Sequence, residues 1–138
     1  MENHFEIQMT EDQLRGISSI GLAHMGDAVF ELLVRSFLCA SGKALNGNLH
    51  RATVDLVCAP AQAARAERML PLLTEEEADI YRRGRNAKSP TMAKNATMSD
   101  YRKATGFEAL MGWLYLQDEF ERLVELVKTG VDGLHLKL

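Results

Sequence analysis

Apolar residues along this chain recur at three- and four-residue intervals, and no stretch of four or more alternates with period two between turn residues. The pattern predicts helices throughout. Thr10 and Gln13 have capping-box spacing. After Ser18 and Ser19, the apolar residues Leu22, Met25, Val29, Leu32 and Leu33 fall at helical intervals up to a stop at Ser41-Gly42, which predicts one long, mostly buried helix. Asn46-Gly47-Asn48 reads as a turn. From Leu49 a second helical stretch runs toward Met69, interrupted near Ala59-Pro60 because proline has no backbone donor. Thr74 and Glu77 form a second capping box, opening a helix that fades near Gly84. Arg85 to Ser99, with Pro90 inside it, reads as a loop. A further helix from Ser99 or Asp100 carries Phe107, Leu110, Met111, Leu114 and Tyr115 on its apolar face. Asp118 with Glu121 opens a last helix that ends at Gly130. The expected fold class is all-α.

The 138 residues, 46% apolar and 25% charged with only 3 Pro, suit one globular domain over 1–138 with its core at about 10–130. No linker, repeat or low-complexity tract divides them. No apolar run approaches the ~20 positions of a membrane helix, and Met1-Glu2-Asn3-His4 lacks the basic start and apolar run of a signal peptide. A soluble, cytoplasmic protein with no membrane partner is expected. Cys39 and Cys58 stand alone, without the clustering of zinc or redox sites, and read as packed thiols.

Lys and Arg number 16 against 19 Asp and Glu, a formal charge of -3. Between Tyr81 and Lys103, however, Arg82, Arg83, Arg85, Lys88, Lys94, Arg102 and Lys103 are opposed only by Asp100, a local +6 that leaves -9 for the rest. Surface-helix charges usually mix in sign and pair, so a basic island without acids suggests a surface for a polyanion. Tyr81 and Tyr101 near its ends read first as packing residues, with stacking on a nucleobase as the alternative.

Two carboxylates lie inside apolar helices: Asp27 between Gly26 and Ala28, and Glu108 between Phe107 and Ala109. An acid is almost never fully buried unless paired, protonated or bound to a metal. Their small neighbours Gly26, Ala28, Ala109 and Gly112 allow another helix to approach closely. If the two helices pack together, the acids converge as hard oxygen ligands for magnesium, which takes one or two carboxylates and keeps several waters. A local cap or a pair with Arg or Lys is an equal alternative for each. Leu22, Met25, Val29 and Phe30 outnumber what one stripe needs to face its own core, and the surplus predicts self-association.

The run Gly21-Leu22-Ala23-His24-Met25-Gly26-Asp27-Ala28-Val29-Phe30-Glu31 resembles the signature helix of the ribonuclease III family, built on Gly-Asp-Ala-Val. Phe107-Glu108-Ala109-Leu110-Met111-Gly112 resembles the family's second acidic helix, and Arg51-Ala52-Thr53 onward its intervening segment. Arg83-Gly84-Arg85-Asn86-Ala87-Lys88-Ser89 resembles the mini-ribonuclease III branch, which has the catalytic domain without a double-stranded RNA-binding domain. Order and separation agree along almost the whole chain. The resemblance implies an endonuclease for double-stranded RNA, dependent on magnesium with manganese able to substitute, in which Asp27 and Glu108 are catalytic residues and metal ligands. Arg83, Arg85, Lys88 and Lys94 are then the expected grip on phosphates and 2′-hydroxyls of an A-form duplex. It further implies a homodimer with one site per subunit, and a role in maturing large-subunit (23S) ribosomal RNA precursors. Whether a partner such as a ribosomal protein adds RNA affinity is left open.

The chain departs from the larger family members at three positions. Ile20 and Ala23 stand where two acids precede the signature Asp, and Thr105 where a third precedes the final Glu; the mini branch shows similar losses. Glu31, one turn past Asp27, reads as a surface partner of Arg35 at i,i+4 or as a partial substitute for the lost acids. His24 reads as a packed or surface residue. The readings from other classes are a noncatalytic helical module that binds structured or ribosomal RNA, and a protein-binding helical domain.

Overall fold

The computed structural model describes residues 7–41, 48–88 and 97–129, and among them it has helices and no strand, the all-α class expected. In chain order the helices are α1 (Glu11–Arg15), α2 (Ser19–Ala40), α3 (Leu49–Val57), α4 (Ala59–Met69), α5 (Glu75–Asn86), α6 (Met98–Leu116) and α7 (Phe120–Thr129), with a 3-10 turn at Leu70–Leu72. Both capping boxes form: Thr10 and Thr74 accept from the N–H of Gln13 and Glu77, whose side chains accept the cap N–H in return. Ser18 caps α2 by accepting from the Gly21 N–H. The break at Pro60 is complete. Cys58 is extended, and Pro60 sits in the first turn of α4, where a missing donor leaves no bond unmade. Helix α5 runs past Gly84 to Asn86, so Arg85 lies in its last turn and not in a loop. The expected turn at Asn46-Gly47, the end at Gly130 and most of the Arg85–Ser99 segment, Lys94 included, lie outside the described residues.

Helix α6 is the axis of the fold, with α2, α4, α5 and α7 packed around it. Phe30, Phe107, Leu110, Met111, Leu114, Leu123 and Leu126 are buried in one cluster, and Phe30 meets Phe107 edge to face with ring centroids 4.9 Å apart. Two glycines let α2 and α6 touch backbone to backbone. A Cβ at Gly26 would overlap the Glu108 carbonyl, and one at Gly112 the Leu22 carbonyl. Pairing of 26 with 108 and of 22 with 112 makes the helices antiparallel.

The self-association surface read from α2 is corrected by this packing. Leu22, Val29 and Phe30 are buried within the single chain and Met25 packs partly against the same core, because α3, α5 and α6 together cover more of α2 than one stripe. The large apolar residue that α2 does leave outside is Leu32, 66% exposed. Cys39 and Cys58 are free thiols, the first exposed and the second half-buried, so neither is a core residue. None of the described helices is long and apolar enough to cross a membrane.

Two features fix the ends of the bundle. Glu77, 5% exposed, receives the Arg122 guanidinium through Nε and NH2, both at 2.8 Å, while NH2 also donates to the Leu72 carbonyl at 2.9 Å. This fork ties α7 to the start of α5 and holds the Glu77 carboxyl below its usual range. At the end of α6, Asp118 has φ 66, and the N–H groups of Asp118 and Glu119 donate to the carbonyls of Tyr115 (3.0 Å) and Leu114 (2.8 Å). Those two bonds close a Schellman turn in which an aspartate occupies the position glycine usually takes.

Candidate active site

Because α2 and α6 meet at Gly26 and Gly112, the residues beside that contact are drawn together. The Asp27 and Glu108 side chains come within hydrogen-bonding reach of one another. Asp27 is on the exposed side of α2, whereas Glu108 is half-buried between α2 and α4. Burial, followed by the Asp27 carboxyl alongside, pushes the Glu108 carboxyl up to about 9, and a hydrogen bond from Gln62 works in the opposite direction. Among the described residues no arginine or lysine contributes to that balance, so the expected alternative of a pair with a basic side chain is not formed by Glu108 there.

Two adjacent carboxylates, with no basic side chain acting on Glu108 among the described residues, have the donor chemistry for a divalent cation of the magnesium kind. Among the described residues no group of three or more His, Cys, Asp or Glu could enclose an ion. The arrangement therefore suits an ion that keeps most of its own water, not zinc or an all-protein calcium cage.

The three positions at which the chain lacks the larger enzymes' acids have been taken into packing. Ala23 is buried in a small cluster with Leu22 and Ala109, and Ile20 is half-buried. Thr105 is buried, and its hydroxyl donates to the Tyr101 carbonyl of its own helix at 2.9 Å. Glu31 pairs with Arg35 at 3.2 Å, the surface arrangement expected from their spacing, and His24 is exposed. Beside Glu108 lies a cavity of about 210 Å³ lined by Val57, Ala59, Gln62, Tyr101, Ala104, Thr105 and Glu108.

Gln62 was not anticipated. It is 2% exposed, its Nε2 donates to the Val57 carbonyl at 2.9 Å, and its Oε1 is buried with no partner among the described residues. The signal was there: counting from Gln62, the buried residues Ala66 and Met69 fall at i+4 and i+7, so a polar residue occupies the apolar stripe of α4. One turn on, Arg65 is 6% exposed, lies over the Phe30 ring with Cζ 5.3 Å from its centroid, and has Nε and NH1 buried without acceptors.

The basic island is less uniform than its composition suggests. Asp79, just outside it, pairs with Arg82 and with Arg83 (3.0 Å to the latter), and Glu67 pairs with Lys103. Acids three or four residues upstream or on another helix thus neutralise part of the island. Arg85 reaches only Asn86 Oδ1 at 3.4 Å, and Lys88 and Arg102 are exposed with no acidic partner among the described residues. Tyr81 is buried against Gly106, as a packing residue, and Tyr101 lines the cavity.

Residues 21–119, which include both carboxylates, match the ribonuclease III domain. The chain is 48% identical over 113 residues to the mini-ribonuclease 3 of Enterococcus faecalis, covering 80% of this chain and 86% of that one. To the mini-ribonuclease 3 of Clostridium tetani it is 43% identical over 126 residues, covering 91% and 83%. A crystal structure of a Fusobacterium nucleatum protein superposes with a TM-score of 0.78 at 28% identity, over 86% of this chain and 97% of that one. With its signature helix, its second acidic helix and these relatives in agreement, the chain belongs to the ribonuclease III family, in the mini-ribonuclease III branch, and is an endoribonuclease.

Proposed function

We propose that the whole chain is one catalytic domain that cleaves double-stranded RNA with a magnesium ion held by Asp27 and Glu108, and that its substrate is a large-subunit ribosomal RNA precursor. The observation that carries the reading is the meeting of these two carboxylates, with no basic side chain acting on Glu108 among the described residues. When bound, the ion supplies a lowered pKa for water and offsets the negative charge that builds on the phosphate during hydrolysis. The protein's own part is to hold the two acids at fixed separation through the backbone contact at Gly26 and Gly112. The edge-to-face stack of Phe30, three residues past Asp27, on Phe107, next to Glu108, keeps α2 and α6 in register beside the acids.

Arg85 and Lys88, joined by Lys94, contact phosphates and 2′-hydroxyls, reading the shape of the duplex and not its bases. Arg83 has a lesser role because Asp79 already shares its charge. A twofold dimer suits a duplex with two antiparallel strands. Leu32, exposed in mid-α2 beside Ala28 and Ser36, marks the face through which such a dimer forms. Manganese replaces magnesium, and the protein works in the cytoplasm.

The deciding experiment incubates a long RNA duplex with the protein and with Asp27→Asn and Glu108→Gln, with and without magnesium. Each substitution keeps size and removes charge, so cleavage is expected to vanish while the melting temperature holds and duplex binding persists. Near-full turnover by either variant at saturating magnesium would show that its carboxylate is not a ligand. Retention of RNA without any cleavage by the unsubstituted protein would favour the noncatalytic RNA-binding reading.

A further inference from the structure

A carbonyl can only accept a hydrogen bond, so the 2.9 Å contact to Val57 O fixes which end of the Gln62 amide is nitrogen. The oxygen must then be the other end, and that atom is buried with no donor among the described residues. A buried acceptor left without a partner destabilises the fold, so its place beside the acids calls for a compensating ligand. Of its polar neighbours on the cavity wall, Glu108, once ionised by the ion it holds, only accepts, and Thr105 has spent its one O–H on the Tyr101 carbonyl. The wall shared by Gln62, Thr105 and Glu108 therefore offers acceptors alone, and what it fits is a donor-rich, positively polarised group.

We propose that Gln62 is a positioning residue for the divalent ion: its amide nitrogen steadies the Glu108 carboxylate, and its amide oxygen accepts a hydrogen bond from the ion's hydration shell. This rests on the reading of Asp27 and Glu108 as metal ligands. Gln62 thereby takes over, from helix α4, part of the outer shell that acids at positions 20, 23 and 105 would otherwise supply. Partners of this kind set metal affinity because they orient what the direct ligands hold, and losing one typically costs 10- to 100-fold in affinity.

The test measures Mn2+ binding by electron paramagnetic resonance and by the rise in melting temperature on adding Mn2+, in the full chain without RNA. Gln62→Met and Gln62→Glu both lose the donor to Val57 O; only the glutamate keeps an acceptor oxygen. Gln62→Met is expected to bind Mn2+ at least tenfold more weakly. Gln62→Glu is expected to bind at least as tightly as the unsubstituted protein, and to gain more in melting temperature from Mn2+ because a third carboxylate now faces the site. Equal losses in both variants would reduce Gln62 to a structural donor for Val57 and overturn the proposal, as would unchanged affinity in Gln62→Met. If either variant melts lower without metal, the rise on adding Mn2+ is read against that variant's own metal-free melting temperature, and the comparison still holds. A failure of the underlying reading looks different: the unsubstituted protein would then bind no Mn2+, or Asp27→Asn would bind it undiminished.

Discussion

Substituting Gly26 by Ala adds one methyl group where α2 and α6 touch, and the structure sets the size of the disturbance. The new carbon would stand 2.6 Å from the Glu108 carbonyl carbon and 2.8 Å from Gly112 N, where ordinary contact begins at 3.4 Å. The helices must separate by more than 0.8 Å, the difference between 3.4 and 2.6 Å, because the carbonyl oxygen lies nearer still. Alanine regains about 1 kcal/mol over glycine in a helix interior. Overpacking costs about 1–3 kcal/mol where neighbours yield, and here both neighbours are helix backbone, which yields least. A net loss of about 2 kcal/mol is expected, or roughly 6–10 °C in melting temperature for a chain of this size. The effect on chemistry is larger. Misplacing a reacting group by about 1 Å costs on the order of 100-fold in rate, and Glu108 belongs to the peptide unit that must move. Thermal denaturation followed by circular dichroism, with single-turnover cleavage of a duplex well below the transition, measures both. Activity within twofold of the parent together with an unchanged or raised melting temperature would refute the account of how the acids are held.

Three further outcomes follow from the same coordinates. Glu77→Gln weakens charge-assisted bonds worth roughly 1.5–3 kcal/mol; since Arg122 lowers the folded-state pKa of Glu77, that stability is complete above the unfolded value near 4.5 and fades as pH falls through the folded one, so the gap in melting temperature from the parent closes on acidification, and a gap that widened in acid would be contrary. Arg65→Met removes a buried guanidinium that has no acidic partner among the described residues and whose pKa burial pulls down, at the loss of a contact with Phe30 worth roughly 1–2 kcal/mol, so the melting temperature is expected to stay level or rise, and a sharp fall would show that Arg65 is satisfied in the folded protein. Replacing Arg85, Lys88 and Lys94 together by Ala in an Asp27→Asn background is expected to flatten the salt dependence of duplex binding by about two to three units of slope, and Arg83→Ala to do so by less than one; unchanged binding would move the RNA surface elsewhere.

The local signals in the chain were legible because their partners lie within four residues. Thr10 with Gln13, Thr74 with Glu77, and Glu31 with Arg35 each form as their spacing predicts. The convergence of Asp27 with Glu108 could be anticipated from the small residues beside them, since only close helices have use for glycine at 26 and 112. What stayed hidden depends on how many neighbours a helix has. Leu22, Val29 and Phe30 look like a surplus only if α2 has one neighbour, and it has three. Arg122 was equally silent: it lies 45 residues from Glu77 along the chain, and no periodicity links them. The basic island misled in the opposite direction, because counting charges between Tyr81 and Lys103 cut off Asp79 and Glu67, which lie outside the window but inside contact distance.

The left-handed aspartate at 118 means that the molecule carries unused stability. An L-residue in that conformation costs about 1–2 kcal/mol that a glycine would not, set against the greater freedom glycine restores to the unfolded chain. The strained joint lies ten residues beyond Glu108, about 15 Å along α6, so relaxing it need not disturb the acids. Substitutions that erode the packing around the site could be offset there, by a change that touches no reacting group. In that sense the end of α6 is a reserve on which drift in the half of the helix that carries Glu108 can draw.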